Sequence, residues 1–151
     1  MRYICSEMFN KGKYFFIGLL FCFVCNGCKK NSGNNKSGVP SAPVDMYIYI
    51  TSNPSLNSPT GWAYVNGGVR GILVYRKSST DFMAYERNCT YKPSDACARI
   101  NADAGGIFAI DTCCGSKFLM SDGSVNVGPA TIPLTRYQAT FDGTNTIHIF
   151  N

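Results

Sequence analysis

Asp111-Thr112-Cys113-Cys114-Gly115-Ser116-Lys117-Phe118 sits between two apolar runs, Ile107-Phe108-Ala109-Ile110 before it and Phe118-Leu119-Met120 after it. The flanking runs are short, aromatic and aliphatic, and show no helical period. They read as strands, with the double-cysteine stretch as the loop between them. A second cysteine loop lies upstream, Cys89-Thr90-Tyr91 with Cys97. From Val44 onward these two loops hold every cysteine of the chain, four of its eight.

The same strand-and-turn grammar extends outward in both directions. Met46-Tyr47-Ile48-Tyr49-Ile50 and Trp62-Ala63-Tyr64-Val65 are aromatic and β-branched, as strands are. Between them, Asn53 to Gly61 carries two prolines and reads as loop. Asn66-Gly67-Gly68 signals a hairpin, since these residues accept the positive φ of tight turns. Val69 to Arg76 returns as a strand, with Ile72 and Val74 on one face and Leu73 and Tyr75 on the other. Phe82 to Glu86 and Ala98 to Ala102 come next as strands. Asp122-Gly123 marks a hairpin between Phe118–Met120 and Val125–Val127, and Asp142-Gly143 another between Tyr137–Phe141 and Thr146–Phe150. The sum is a single all-β domain, a small antiparallel sandwich, over residues 44–151.

The region before Val44 has a different character. Residues 1–13 carry positive charge, and residues 14–24 (YFFIGLLFCFV) are apolar throughout. Eleven residues are too few to cross a hydrocarbon core of ~30 Å as a helix, and fit the core of a secretory signal peptide. Met8 offers an alternative initiator. Asn26-Gly27-Cys28 then places a small residue before a cysteine, which resembles the lipobox of bacterial lipoproteins. Cys25 stands where Leu is usual. That resemblance implies a signal peptide over 1–27, a diacylglycerol on Cys28 and anchorage to the cell envelope, at the periplasmic face or the outer membrane. Residues 28–43, rich in Asn, Ser, Gly, Lys and Pro, read as a flexible tether.

The net charge of +5 does not mark a nucleic-acid partner. From Val44 onward eight basic residues meet eight acidic ones, so the domain has no excess of base to neutralise phosphates. In an oxidising compartment its cysteines are expected to pair. Four cysteines allow three connectivities. A bond between the neighbours Cys113 and Cys114 is strained, so pairing across the loops is expected.

The two loops, together with the chain from Phe118 to Tyr137, resemble a Rieske iron–sulfur domain. That family carries Cys-x-His with a disulfide cysteine in one loop, then Cys-x-Cys-His-Gly-Ser-x-Phe, a hairpin, and Gly-Pro-Ala leading to Pro-Leu and Tyr. Here the run is Cys89-Thr90-Tyr91, Cys97, Asp111 to Phe118, Asp122-Gly123, Gly128-Pro129-Ala130, Pro133-Leu134 and Tyr137. The resemblance implies a Rieske-like β-sandwich and a Cys97–Cys113 disulfide. It places the cluster-ligand positions at Cys89, Tyr91, Asp111 and Cys114, with Ser116 at the position that donates to cluster sulfur. A Rieske cluster needs two cysteines on one iron and two histidines on the other. Only Cys89 keeps its type. The one histidine, His148, lies in the last strand with its side chain opposite Ile147 and Ile149.

These departures imply a cluster-free domain with no cofactor, in which Cys89 and Cys114 close as a second disulfide. The expected role is a non-enzymatic structural or interaction module with an envelope protein as partner. A 2Fe–2S electron carrier with an atypical ligand set is the runner-up. Thiol–disulfide exchange at Cys89 and Cys114 is the third reading, weakened by the lack of Cys-x-x-Cys at a helix start. For the remaining candidates the plain readings are a hydrogen-bonded loop tyrosine at Tyr91, a loop-capping carboxylate at Asp111, and core or cross-strand aromatics at Tyr47, Tyr49, Trp62, Tyr64 and Tyr75.

Overall fold

The structure is a computed structural model that describes residues 37–151. The expected signal peptide, Cys28 and most of the expected tether lie outside the described residues.

Ten strands form two antiparallel sheets. They are β1 (Asp45–Tyr49), β2 (Trp62–Val65), β3 (Ile72–Arg76), β4 (Phe82–Glu86), β5 (Ile100–Ala102), β6 (Phe108–Asp111), β7 (Lys117–Leu119), β8 (Val125–Val127), β9 (Arg136–Phe141) and β10 (Thr146–Phe150). One sheet has the order β1-β10-β9-β4-β3-β2, and the other β5-β6-β7-β8. The larger sheet curls into a half-barrel. The all-β, antiparallel class expected from the hairpin signals is therefore the class found.

Burial explains the curl. β3 and β4 are buried along nearly their whole length, on both faces. Leu73, Tyr75, Met83 and Tyr85 point to one core, with Ile100, Ala109, Phe118 and Met120 of the second sheet. Ile72, Val74, Phe82 and Ala84 point to the other, with Ile48, Ile147, Ile149 and Tyr137 of the same curled sheet. A strand covered on both sides reads as a continuous apolar run, and Ile72-Leu73-Val74-Tyr75 is one. The alternation expected for this strand is the one observed.

Three local readings are revised. The Asn66-Gly67-Gly68 hairpin is a longer connection, and β3 starts at Ile72 rather than Val69. The cause is the buried carboxylate of Glu86, which accepts the backbone N–H groups of Val69 and Arg70 at 2.6 and 2.9 Å. Those amides are taken out of the strand ladder. Gly68, at φ +62°, passes so close to Glu86 and Tyr137 that a Cβ there would collide with both. Second, Ile50, expected to end the first strand, opens a 3₁₀ turn over Ile50–Ser52, and Pro54–Asn57 forms another where plain loop was expected. Pro54 opens the second of these, where its missing N–H costs nothing. Third, β5 begins at Ile100, not Ala98. Ahead of it only Arg99 pairs, in a single bridge to Asn88.

Candidate functional site

The site is built from β6, β7 and the two cysteine loops. Asp111 ends β6, and its N–H donates to the Ser116 carbonyl at 2.9 Å. The Gly115 N–H returns to the Asp111 carbonyl at 2.7 Å. The residues between form a tight loop. Asp111 caps it, since its Oδ1 accepts the Cys113 N–H at 2.8 Å. In the upstream loop the Cys89 N–H donates to the Ala98 carbonyl at 3.2 Å, which folds Cys97 back toward β6 and β7.

The bridge between the loops is Cys97–Cys113, with Cα atoms 5.5 Å apart. It is the pairing implied by the Rieske resemblance. The companion bond expected between Cys89 and Cys114 is not formed in this structure, where both are thiols. Asp111 supplies the physical reason. Its Oδ2 lies 3.2 Å from the Cys114 sulfur, and a carboxylate oxygen lies within 4.8 Å of the Cys89 sulfur. Each sulfur thus faces the carboxylate as well as the opposite sulfur.

Cys89 and Asp111 are both fully buried, and Cys114 is partly exposed. One donor atom from each, the two sulfurs and a carboxylate oxygen, all lie within 4.8 Å of one another. Burial pushes the Cys89 thiol well above its ordinary range, and the hydrogen bond to Asp111 adds to the shift. The Tyr91 N–H, donated to the same sulfur, acts the other way. Tyr91, the fourth family position, is half-buried and packs on the core beside the loops.

Ser116 is fully buried and doubly engaged. Its Oγ accepts the Ala130 N–H at 2.9 Å and lies 3.1 Å from the Cys114 sulfur. With one acceptor role filled from Ala130, the hydroxyl proton is free to point at that sulfur. The Thr90 hydroxyl donates to the Ile132 carbonyl at 2.6 Å. The 128–135 segment therefore supports both cysteine loops at once. Nothing in the residue pattern singles out Thr90 and Ala130 as site residues. The only signal for them is the Gly128-Pro129-Ala130 run itself, whose backbone partners no side-chain pattern reveals.

The donor set does not fit a Rieske cluster. No histidine stands at either histidine position, and Asp111 replaces the second cysteine. The separations also matter. Two donors on one ion, each at a metal–sulfur distance of ~2.3 Å, are at most about 4.6 Å apart. Donors this close bracket a single ion.

The remaining candidates fall elsewhere. His148 is half-buried on the outer face of β10, its Nε2 2.7 Å from Asp45 Oδ1 and its ring stacked between Tyr47 and Phe150. Tyr75 is core, whereas Tyr47 and Tyr49 on β1 are 61% and 50% exposed. Tyr64 accepts the Ala102 N–H with its hydroxyl and carries the Arg87 guanidinium over its ring at 3.6 Å. No family model matches the chain, and no curated protein matches it.

Proposed function

We propose that this chain is an exported, lipid-anchored protein of the bacterial cell envelope whose Rieske-like β-domain is a cluster-free structural or interaction module. One observation carries the reading. At the positions corresponding to cluster ligands, the available donors are two thiols and a carboxylate drawn within 4.8 Å of one another, with no imidazole among them. Imidazole ligation gives a Rieske centre its raised potential, and none is available at this site. The Cys97–Cys113 bridge and the 128–135 segment tie the two loops to the rest of the domain.

The domain then acts as a rigid body on a tether, presenting its surface to an envelope partner while the lipid on Cys28 holds it to the membrane. The test is direct. The full chain, purified anaerobically, is expected to be colourless, to contain no acid-labile sulfide, and to give no EPR signal on reduction. Two irons and two sulfides per chain would sink the proposal.

A further inference from the structure

We infer that Cys89, Asp111 and Cys114 form a site for one thiophilic divalent metal ion of the zinc class. The inference rests on the cluster-free reading, because it assigns a single ion to the place where that reading puts no cluster.

Three independent features of the loops converge on it. The first is donor type. Two sulfurs and one carboxylate oxygen are an established ligand chemistry for zinc, and soft thiolates select against magnesium and calcium. The second is spacing. The three donor atoms lie within 4.8 Å of one another, so a modest inward movement places each at bonding distance from a common centre. The third is the shell behind the donors. Asp111 spends Oδ1 on the Cys113 N–H, which leaves Oδ2 facing the sulfurs. The Ser116 hydroxyl is held by the Ala130 N–H with its own proton free for the Cys114 sulfur. Donors aimed at sulfur stabilise thiolates, and they are the groups that tune and orient metal ligands.

The balance of the binding step is simple. One divalent ion enters and the two thiol protons leave to solvent. Two metal–sulfur bonds and one metal–oxygen bond form, and no electron changes hands. Three protein ligands leave a fourth tetrahedral position for water or a small anionic ligand.

The experiment uses the full-length chain, purified anaerobically in detergent and titrated with Co²⁺. The expected result is one cobalt per chain with sulfur-to-cobalt charge-transfer absorption, abolished by one equivalent of Zn²⁺. Cys114→Ser is expected to lose about half of that absorption per bound cobalt. Ser116→Ala, which removes no ligand, is expected to weaken binding by roughly 10–100-fold. Thermal melts of the metal-free variants separate a ligand effect from misfolding. Absence of the charge-transfer band in folded protein with two titratable thiols would overturn the inference, as would an unchanged band in Cys114→Ser. A Cys89–Cys114 disulfide in the anaerobically isolated chain would also overturn it. A colourless protein that takes up no cobalt leaves the cluster-free reading standing, whereas two irons with two labile sulfides remove that reading first.

Discussion

The hydroxyl of Tyr137 on β9 donates to the buried carboxylate of Glu86 at the end of β4, at 2.8 Å. Glu86 also accepts the backbone N–H groups of Val69, Arg70 and Asn88, so one side chain fixes the β2–β3 connection, the entry to the first cysteine loop and β9. Burial raises the Tyr137 hydroxyl well above the ordinary phenol value, and the Glu86 carboxylate adds to this. Tyr137→Phe removes one charge-assisted bond and is expected to cost about 1.5–3 kcal/mol in urea unfolding. Glu86→Ala orphans three backbone donors at about 1–3 kcal/mol each, enough to unfold a domain of ordinary stability. A Tyr137→Phe variant as stable as the parent would show that this bond is not a structural tie.

Reduction of Cys97–Cys113 is expected to lower stability by about 3 kcal/mol. It opens a loop with a sequence separation of 16 residues. The measurement is a thermal melt of Cys97→Ser/Cys113→Ser against the parent. An unchanged melting temperature would mean that the backbone bonds of the 128–135 segment suffice to hold the loops.

Asp142 supplies the pH dependence. Its Oδ1 accepts the N–H groups of Thr146, Thr144 and Asn145 at the tip of the last hairpin. These bonds, led by Thr146, hold its carboxyl well below the usual range. A depressed carboxylate stabilises the fold above its unfolded value, about 3.9, and that contribution is lost as pH falls through the folded value. Asp142→Asn is therefore expected to be less stable than the parent at neutral pH, with the gap narrowing below about pH 4. Unfolding midpoints measured across that range check the sign.

Gly123 sits at φ +79° against the ring of Tyr85, where an added Cβ would come within 2.7 Å of the ring. Gly123→Ala combines left-handed backbone strain with overpacking and is expected to cost about 1–3 kcal/mol. A neutral substitution, read by urea midpoint, would mean that the hairpin shifts freely over the ring.

The proposed lipid anchor is tested at the Cys28 thiol. In a Gram-negative host the chain is expected to incorporate an alkyne-tagged fatty acid and to fractionate with membranes. Cys28→Ser is expected to do neither. Labelling of the serine variant would move the modification to another residue or remove it.

How much of this is legible in the sequence differs by feature. The hairpins at Asp122-Gly123 and Asp142-Gly143 announce themselves, because each turn holds a glycine at positive φ and few residue types accept that conformation. The two-faced burial of β3 is foreshadowed by its unbroken apolar run. The late start of that strand is not, because Glu86, sixteen residues on from Arg70, captures the amides of Val69 and Arg70 through its side chain. Spacing in sequence carries no trace of such a long-range capture. At the site, Cys97–Cys113 is readable from the order of motifs. The state of Cys89 and Cys114 is not, since it depends on an Asp111 carboxylate placed in three dimensions beside both sulfurs.

β3 and β4 belong to both cores, with Leu73 and Tyr85 facing one and Val74 and Ala84 the other. Neither half of the molecule can melt and leave its neighbour intact, because each uses the reverse side of the same two strands as its floor. The domain should thus lose its structure in one calorimetric step, with equal van't Hoff and calorimetric enthalpies. A pull on its two ends would meet a body that yields all at once rather than layer by layer.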